Sequence, residues 1–283
     1  MSNFGDEPEK RMLIAIEKRF GTTVDLPSEM YGANALATMN ERSVCRNYST
    51  RAVDESVIRL LCASALSAPS KSDLQQASIV RVSSRDIRET INNWFPNSPW
   101  IAKAPEFLVI CGDHSRVQHL FASRSSEFPN NHLDTFFNAA VDAGILLGTL
   151  VQAVNFAGLG CCPISEIREH VNQISELLKL PEWVFPVVGV TIGYPAAFEP
   201  LSPRLGLKAT VHEDTYDVDG IPESVAEYDD RRVRLKPYAQ QREADRFGRS
   251  SHYGWGEDKF RQYSNVQRAD FGAYVRSKGF RLD

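Results

Sequence analysis

The chain has 283 residues, enough for one large domain or two ordinary ones, and its 42% apolar and 24% charged content is that of a globular protein rather than a disordered or fibrous one. Lysine and arginine total 32 against 36 acidic residues, a formal net charge of −4, which argues against a nucleic-acid binder with its basic face. The five cysteines (Cys45, Cys62, Cys111, Cys161 and Cys162) are odd in number and irregularly spaced, with no C-x-x-C. That is the pattern of reduced thiols in a cytoplasm, and the adjacent pair Cys161-Cys162 reads as two small packing residues.

Residues 11–20 predict a short helix closed by Gly21, followed by a loop marked by Pro27 and Gly32, so that 1–36 reads as an N-terminal arm. Asp54 suits the N-cap of a helix carrying Val57, Leu61 and Ala65 on one face, with Pro69 beyond its end. A strand is expected over 77–83, a helix entered through Ser83-x-x-Asp86 and running to about Asn93, and a buried strand over 106–111 ended by Gly112-Asp113. The polar stretch 113–134 shows no period and reads as an irregular flap. A long apolar helix follows, from about Asp134 to Ala157. Ala143–Ser165 carries no charge and contains Gly144-x-x-x-Gly148, but Gly158, Gly160 and Pro163 break it well short of the roughly 20 residues a membrane span needs, so a core helix is expected. A short strand is allowed over 158–165, then a helix N-capped by Ser165 with Ile167, Val171, Ile174 and Leu178 on its face, stopped by Pro181. Pro186–Gly193 reads as a further strand, turned out by Tyr194-Pro195. Beyond Pro200 the chain is polar, arginine-rich and weakly periodic. Strands interleaved with helices predict an α/β or α+β sandwich around one core.

Motifs for nucleotide cradles and hydrolytic nucleophiles are absent: there is no G-x-G-x-x-G, Walker A, G-x-S-x-G or H-E-x-x-H. The six histidines are scattered, without metal-ligand spacing. If the chain is an enzyme, a bound cofactor is expected to carry its chemistry. Four segments bear on which one: Arg42-Ser-Val-Cys-Arg46 with Tyr48; Ala68-Pro-Ser-Lys-Ser-Asp-Leu-Gln75; Asp142 and the apolar helix into Gly158-Leu-Gly160; and Leu177-Leu-Lys-Leu-Pro181 into Pro186–Pro195. In this order they resemble the nitroreductase family over about 42–200. Ser202-Pro-Arg-Leu-Gly-Leu207 and Val211–Tyr216 extend the likeness to its larger, NADPH-preferring branch of nitroreductases and flavin reductases.

That resemblance implies an α+β nitroreductase-like fold, with a central mixed or antiparallel sheet flanked by helices, in a homodimer with the flavin at the subunit interface. It divides the chain into an arm (1–36), an FMN-binding core (37–200) and a C-terminal extension (201–283). It implies bound FMN that passes hydride from NADPH or NADH to nitroaromatic, quinone or flavin acceptors by a ping-pong route. Arg42, Ser43 and Arg46 would hold the FMN phosphate and ribityl chain, with Arg204 also reaching the phosphate, since guanidinium donates to phosphate oxygens in pairs. Ser70, Ser72 and Gln75 would line the ribityl chain and the pyrimidine edge, where an amide both donates and accepts. Pro163, Ile164 and Ser165 would lie against the ring near N5, with the positive end of a helix beginning at Ser165. In the extension, Arg246 or Arg249 would meet the extra phosphate of NADPH. No metal, nucleic acid or membrane is expected, and a cytoplasmic location is. Two alternatives stay open: a flavoenzyme of the same fold with other chemistry, such as reductive dehalogenation or flavin fragmentation, and a flavin-binding protein without turnover.

Overall fold

The computed structural model describes residues 7–197 and 199–283. In chain order its elements are α1 (Pro8–Phe20), α2 (Ala33–Glu41), α3 (Glu55–Leu66), β1 (Ala77–Arg81), α4 (Arg85–Trp94), α5 (Trp100–Lys103), β2 (Glu106–Asp113), α6 (Ser115–Ala122), α7 (Leu133–Phe156), β3 (Gly160–Ile164), α8 (Val171–Leu177), β4 (Val184–Gly193), α9 (Ile221–Leu235), α10 (Ala244–Phe247), α11 (Trp255–Tyr263) and α12 (Phe271–Ser277). They group into two compact units assembled from separate stretches, 7–43 with 199–267 and 44–197 with 268–283. These limits cut across the linear division into 1–36, 37–200 and 201–283.

The unit of 44–197 and 268–283 holds a four-stranded sheet in the order β1-β2-β4-β3, with every pairing antiparallel. All eight residues of β2 are buried, its middle five (107–111) are a continuous apolar run, and alternate side chains serve opposite faces of the sheet. Leu108 and Ile110 pack with Leu61, Leu146, Leu150 and Val154 of α3 and α7, while Phe107, Val109 and Cys111 pack on the other side with Ile91, Ile101 and Ile174. Cys161 and Cys162 divide the same way, one to each face, which accounts for the adjacent pair as packing residues. All five cysteines are free thiols. Asp54 caps α3 by accepting from the Ser56 amide, and the long apolar run is α7, whose inner face covers the sheet as a core helix does. The Gly158-Leu-Gly160 motif ends that helix. Gly158 adopts φ +71, and a Cβ on Gly160 would lie 2.5 Å from the Cβ of Cys45.

Several local expectations need correction. The 113–134 segment is not wholly irregular, because Ser115–Ala122 forms α6. Ser84, not Ser83, caps α4 through the Ile87 amide. Ser165 caps no α-helix: it opens a 3-10 stretch, Ser165–His170, and regular helix begins only at Val171. The positive end expected at Ser165 is therefore that of a 3-10 stretch leading into α8, not of an α-helix that Ser165 caps. The short helices α2 and α5 were also not anticipated, being too brief to show a period.

In the unit of 7–43 and 199–267, Met12 and Ile16 of α1 close on Ala37 of α2, with Phe20, Val24, Leu26 and Met30 packed around them. Gly21 ends α1 in the left-handed conformation, as its sequence position suggested. Tyr228 of α9 meets Trp255 of α11 edge to face at 5.6 Å, and Asp229 accepts from the Gly256 amide.

Candidate functional site

The segment between α3 and β1 is tightly constrained. Ser72, Asp73 and Gln75 all take positive φ (51, 56 and 51), a left-handed conformation that costs a non-glycine residue about 1–3 kcal/mol and persists only where surroundings enforce it. The enforcing groups are identifiable. Asp142, buried in α7, accepts from the Ser70 hydroxyl at 2.7 Å and from the Lys71 and Gln76 amides at 3.1 Å each. Ser70 Oγ in turn accepts from the Gln75 amide at 2.7 Å. From α6, Arg116 donates to the Gln75 and Ala77 carbonyls at 2.8 and 2.7 Å and pairs with Asp113 at 2.7 Å.

Ser70, Gln75, Gln76, Arg116 and Asp142 line one face of a cavity of about 170 Å³, closed on its apolar side by Ala65, Pro69 and Leu146. Whole ligand pockets usually enclose about 300–1,000 Å³, so this recess suits one edge of a flat ligand rather than all of it. Sequence reasoning selected Ser70 and Gln75 and missed the other three. Asp142 was nevertheless visible as the one carboxylate in the interior of an apolar helix whose other acid, Asp134, lies in the first turn. Ser72 belongs to the same strained loop and is exposed, but it is not a lining residue of the cavity.

Behind the loop Gln76 is 1% exposed and its Oε1 lies 2.8 Å from Nδ1 of the equally buried His114. Burial pushes the His114 imidazole down to about 4, against a smaller opposing pull from the Asp113 charge. Because the folded-state value lies below that of the unfolded chain, this contribution to stability is complete above about pH 6.5 and is lost as pH falls toward 4. At pH 5 the loss should approach about 2 kcal/mol. Urea midpoints at pH 7 and pH 5 should differ accordingly in the native protein and clearly less in His114→Asn; equal differences in the two would assign the acid sensitivity elsewhere.

The other predicted residues fall into separate places. Pro163, Ile164 and Ser165 stand at the end of β3, where Ile164 is buried and its neighbours are exposed. β1 and β3 are the two edges of the sheet. With strands about 4.8 Å apart, three spacings put the 163–165 corner roughly 14 Å from the edge that carries the Ser70–Gln75 loop. A single chain therefore does not bring these two groups together. Arg46 lies over the Trp100 ring at 5.1 Å and beside the buried thiol of Cys162, whose pKa burial raises and the Arg46 charge partly lowers.

In the other unit, Arg42 follows α2 and shares its surroundings with Arg204 and with Arg19, a residue the sequence did not single out. Arg19 is 7% exposed and donates to the carbonyls of Asn40 (2.7 Å), Ser202 (3.3 Å) and Arg42. Its guanidinium is lowered to about 10, first by burial and then by the charges of Arg204 and Arg42. Among the described residues no carboxylate pairs with Arg19, Arg42 or Arg204. Among the described residues, then, the cluster has no counter-anion. In the same unit the two arginines proposed for NADPH differ. Arg246 is held by Glu243 and Asn265 and lies over Phe247. Arg249 borders a cavity of about 530 Å³ with Tyr238, Gln240, Gln241 and Tyr253. Tyr238 and Tyr253 meet edge to face at 5.8 Å.

An antiparallel four-stranded sheet sandwiched by helices, with a strained polar loop over a recess and a separate arginine cluster, describes a cofactor-binding α+β protein. The chain belongs to the nitroreductase family: that family's model matches residues 39–194, and the model of the family's C-terminal domain matches residues 202–283. It is 28% identical over 255 residues to an FMN reductase [NAD(P)H] of Bacillus subtilis (strain 168), covering 88% of this chain and 98% of that one. It is 32% identical over 171 residues to an oxygen-insensitive NADPH nitroreductase of Salmonella typhimurium, covering 60% and 70%. The solved structure of B. megaterium NfrA2 superimposes with a TM-score of 0.80 at 27% identity, over 88% of this chain and 98% of that one.

Proposed function

We propose that this protein is an FMN-dependent oxidoreductase that takes hydride from NAD(P)H and delivers it to a nitroaromatic, quinone or flavin acceptor. The observation that carries the reading is the recess lined by Ser70 and Gln75, two residues selected from sequence for the flavin. The names of the relatives support it, since both the Bacillus and the Salmonella proteins are nicotinamide-dependent reductases. In this reading the FMN phosphate and ribityl chain are assigned to Arg42, Ser43, Arg46 and Arg204. Ser70, Ser72 and Gln75 take the ribityl chain and pyrimidine edge, and Pro163, Ile164 and Ser165 the ring near N5. The segment 37–200 remains the flavin-binding stretch and 201–283 its extension. Bound FMN would supply the two-electron couple, while the protein supplies orientation and electrostatics. Donor and acceptor would occupy the same space in turn, a ping-pong order.

A homodimer and a cytoplasmic location belong to the same proposal. Two observations favour the dimer. The Ser70–Gln75 loop and the 163–165 corner occupy opposite sheet edges, so a second copy is the economical way to bring one of each to a single flavin. In addition, Leu133, Phe137, Val141 and Ile145 form an exposed stripe at four-residue spacing on α7, and a Cβ at Gly144 or Gly148 would meet nothing within 4 Å. An apolar face of this kind on a soluble chain marks an interaction surface.

The reading is tested by the absorption spectrum and an anaerobic NADPH titration. The protein should purify yellow and bleach on addition of NADPH. Protein that stays colourless and cannot be loaded with FMN would overturn it, and yellow protein that NADPH does not reduce would favour a flavin-binding role without turnover. Arg249, not Arg246, is assigned to the extra phosphate of NADPH. Arg249→Ala should lower kcat/KM for NADPH about tenfold or more, the loss of one charge-assisted contact of about 1.5–3 kcal/mol, and leave NADH turnover nearly unchanged. Steady-state kinetics with both donors decide this; an unchanged NADPH/NADH ratio removes the assignment.

A further inference from the structure

We infer that Asp142 and Arg116 are positioning residues that grip Gln75 from both sides and hold the strained 70–76 loop in the one shape that can present it to a ligand. The inference rests on the flavin reading for the identity of that ligand, but the grip itself is defined by the chain alone. Both backbone polar groups of Gln75 are bound. Its amide donates to Ser70 Oγ, which donates to the Asp142 carboxylate, and its carbonyl accepts from Arg116. The residue between these two holds has φ +51, which an unrestrained glutamine abandons readily. Asp142 also binds the amides of Lys71 and Gln76, so one buried carboxylate takes donors from both ends of the loop.

The chemistry of the two side chains suits the task. A carboxylate only accepts and can serve several donors at once, as three loop donors require. Arg116 brings a planar fork, and Asp113 and Ser78 Oγ fix its orientation at 2.7 and 3.1 Å. Because its charge is neutralised by Asp113, Arg116 acts through the loop rather than as a free cation toward a ligand. The Gln75 side chain is left exposed, its amide nitrogen 3.2 Å from Asp73 Oδ1. The clamp thus holds the backbone and leaves the carboxamide oxygen for the ligand. Asp142 lies 72, 71 and 66 residues from the groups it binds, so the device joins α7 to the β1 edge of the sheet.

The test compares hydrogen–deuterium exchange of the 68–78 peptide in the flavin-free full chain with FMN titration of the same samples. In Asp142→Asn an amide replaces one acceptor with a donor, and the 68–78 amides should exchange at least tenfold faster while the rest of α7 is unchanged. The FMN dissociation constant should rise at least tenfold, and kcat of the FMN-saturated enzyme should fall by more than KM changes. Arg116→Lys, which cannot span the same four acceptors, should show the same pattern at about threefold. Ser70→Ala breaks the relay from an exposed loop and decides the matter if Asp142→Asn does not fold. Native-like exchange in all three variants overturns the clamp, as does faster exchange spread evenly over the chain. If the variants show the local exchange effect but the native protein binds no FMN, the flavin reading is overturned and the clamp stands. If the variants show the local exchange effect but bind FMN with the native affinity, the positioning role alone is overturned.

Discussion

Arg204→Ala is expected to raise the FMN dissociation constant by about ten- to a hundredfold, the effect of one charge-assisted contact of about 1.5–3 kcal/mol. The argument starts from an imbalance. Arg19, Arg42 and Arg204 lie close enough for the latter two to depress the Arg19 guanidinium, and none has a carboxylate partner among the described residues. An anionic group placed there relieves repulsion as well as forming new bonds, which is the setting in which arginine binds phosphate best. Arg42→Ala should act similarly. Arg19→Ala should instead lower stability, because Arg19 spends its donors on the carbonyls of Asn40, Ser202 and Arg42 and is buried. Raising salt from 0.05 to 0.5 M should weaken FMN binding in the native protein and do so less in Arg204→Ala, because the charge being screened has been removed. Equilibrium titration of the flavin-free protein measures all of this. Equal dissociation constants for native protein and both alanine variants would place the phosphate elsewhere.

Phe137→Asp combined with Ile145→Asp is expected to convert a dimer into a monomer that loses its flavin. The two side chains are 59% and 37% exposed in the single chain, and they stand two helical turns apart on the same stripe of α7. Residues at the centre of a buried interface commonly contribute about 2 kcal/mol or more each, so the double change should raise the dimer dissociation constant by a hundredfold or more. The substitutions lie on the outer face of α7, away from Leu146, Leu150 and Val154, so the monomer should keep its fold. Light scattering reports the mass and absorbance at the flavin band reports the cofactor. A flavin-loaded dimer in the variant would exclude this face, and a stable flavin-loaded monomer of the native protein would remove the dimer from the proposal.

Periodicity and local stereochemistry were sufficient for much of the chain. The apolar run after Asp134 is α7, the runs at 77–83, 106–111 and 186–193 are β1, β2 and β4, and Asp54 and Gly21 mark the helix ends that their side-chain chemistry favours. The family was legible too, because its motifs are short linear strings. Ser70 and Gln75 were singled out for the same reason, and both line the recess. What the sequence could not settle depends on pairing between distant residues. The order β1-β2-β4-β3 separates the Ser70–Gln75 loop from the 163–165 corner, and no local signal encodes which strand ends at which edge. Arg19 is charged and sits in the last turn of an amphipathic helix, where exposure is the ordinary expectation; its donors are taken up by the end of α2 and by the return of the chain near Ser202. Asp142 and Arg116 acquire their roles in the same way, through partners up to 72 and 41 residues away. A buried charge is tolerable only where donors or acceptors from elsewhere in the fold converge on it, and that convergence is a property of tertiary structure alone.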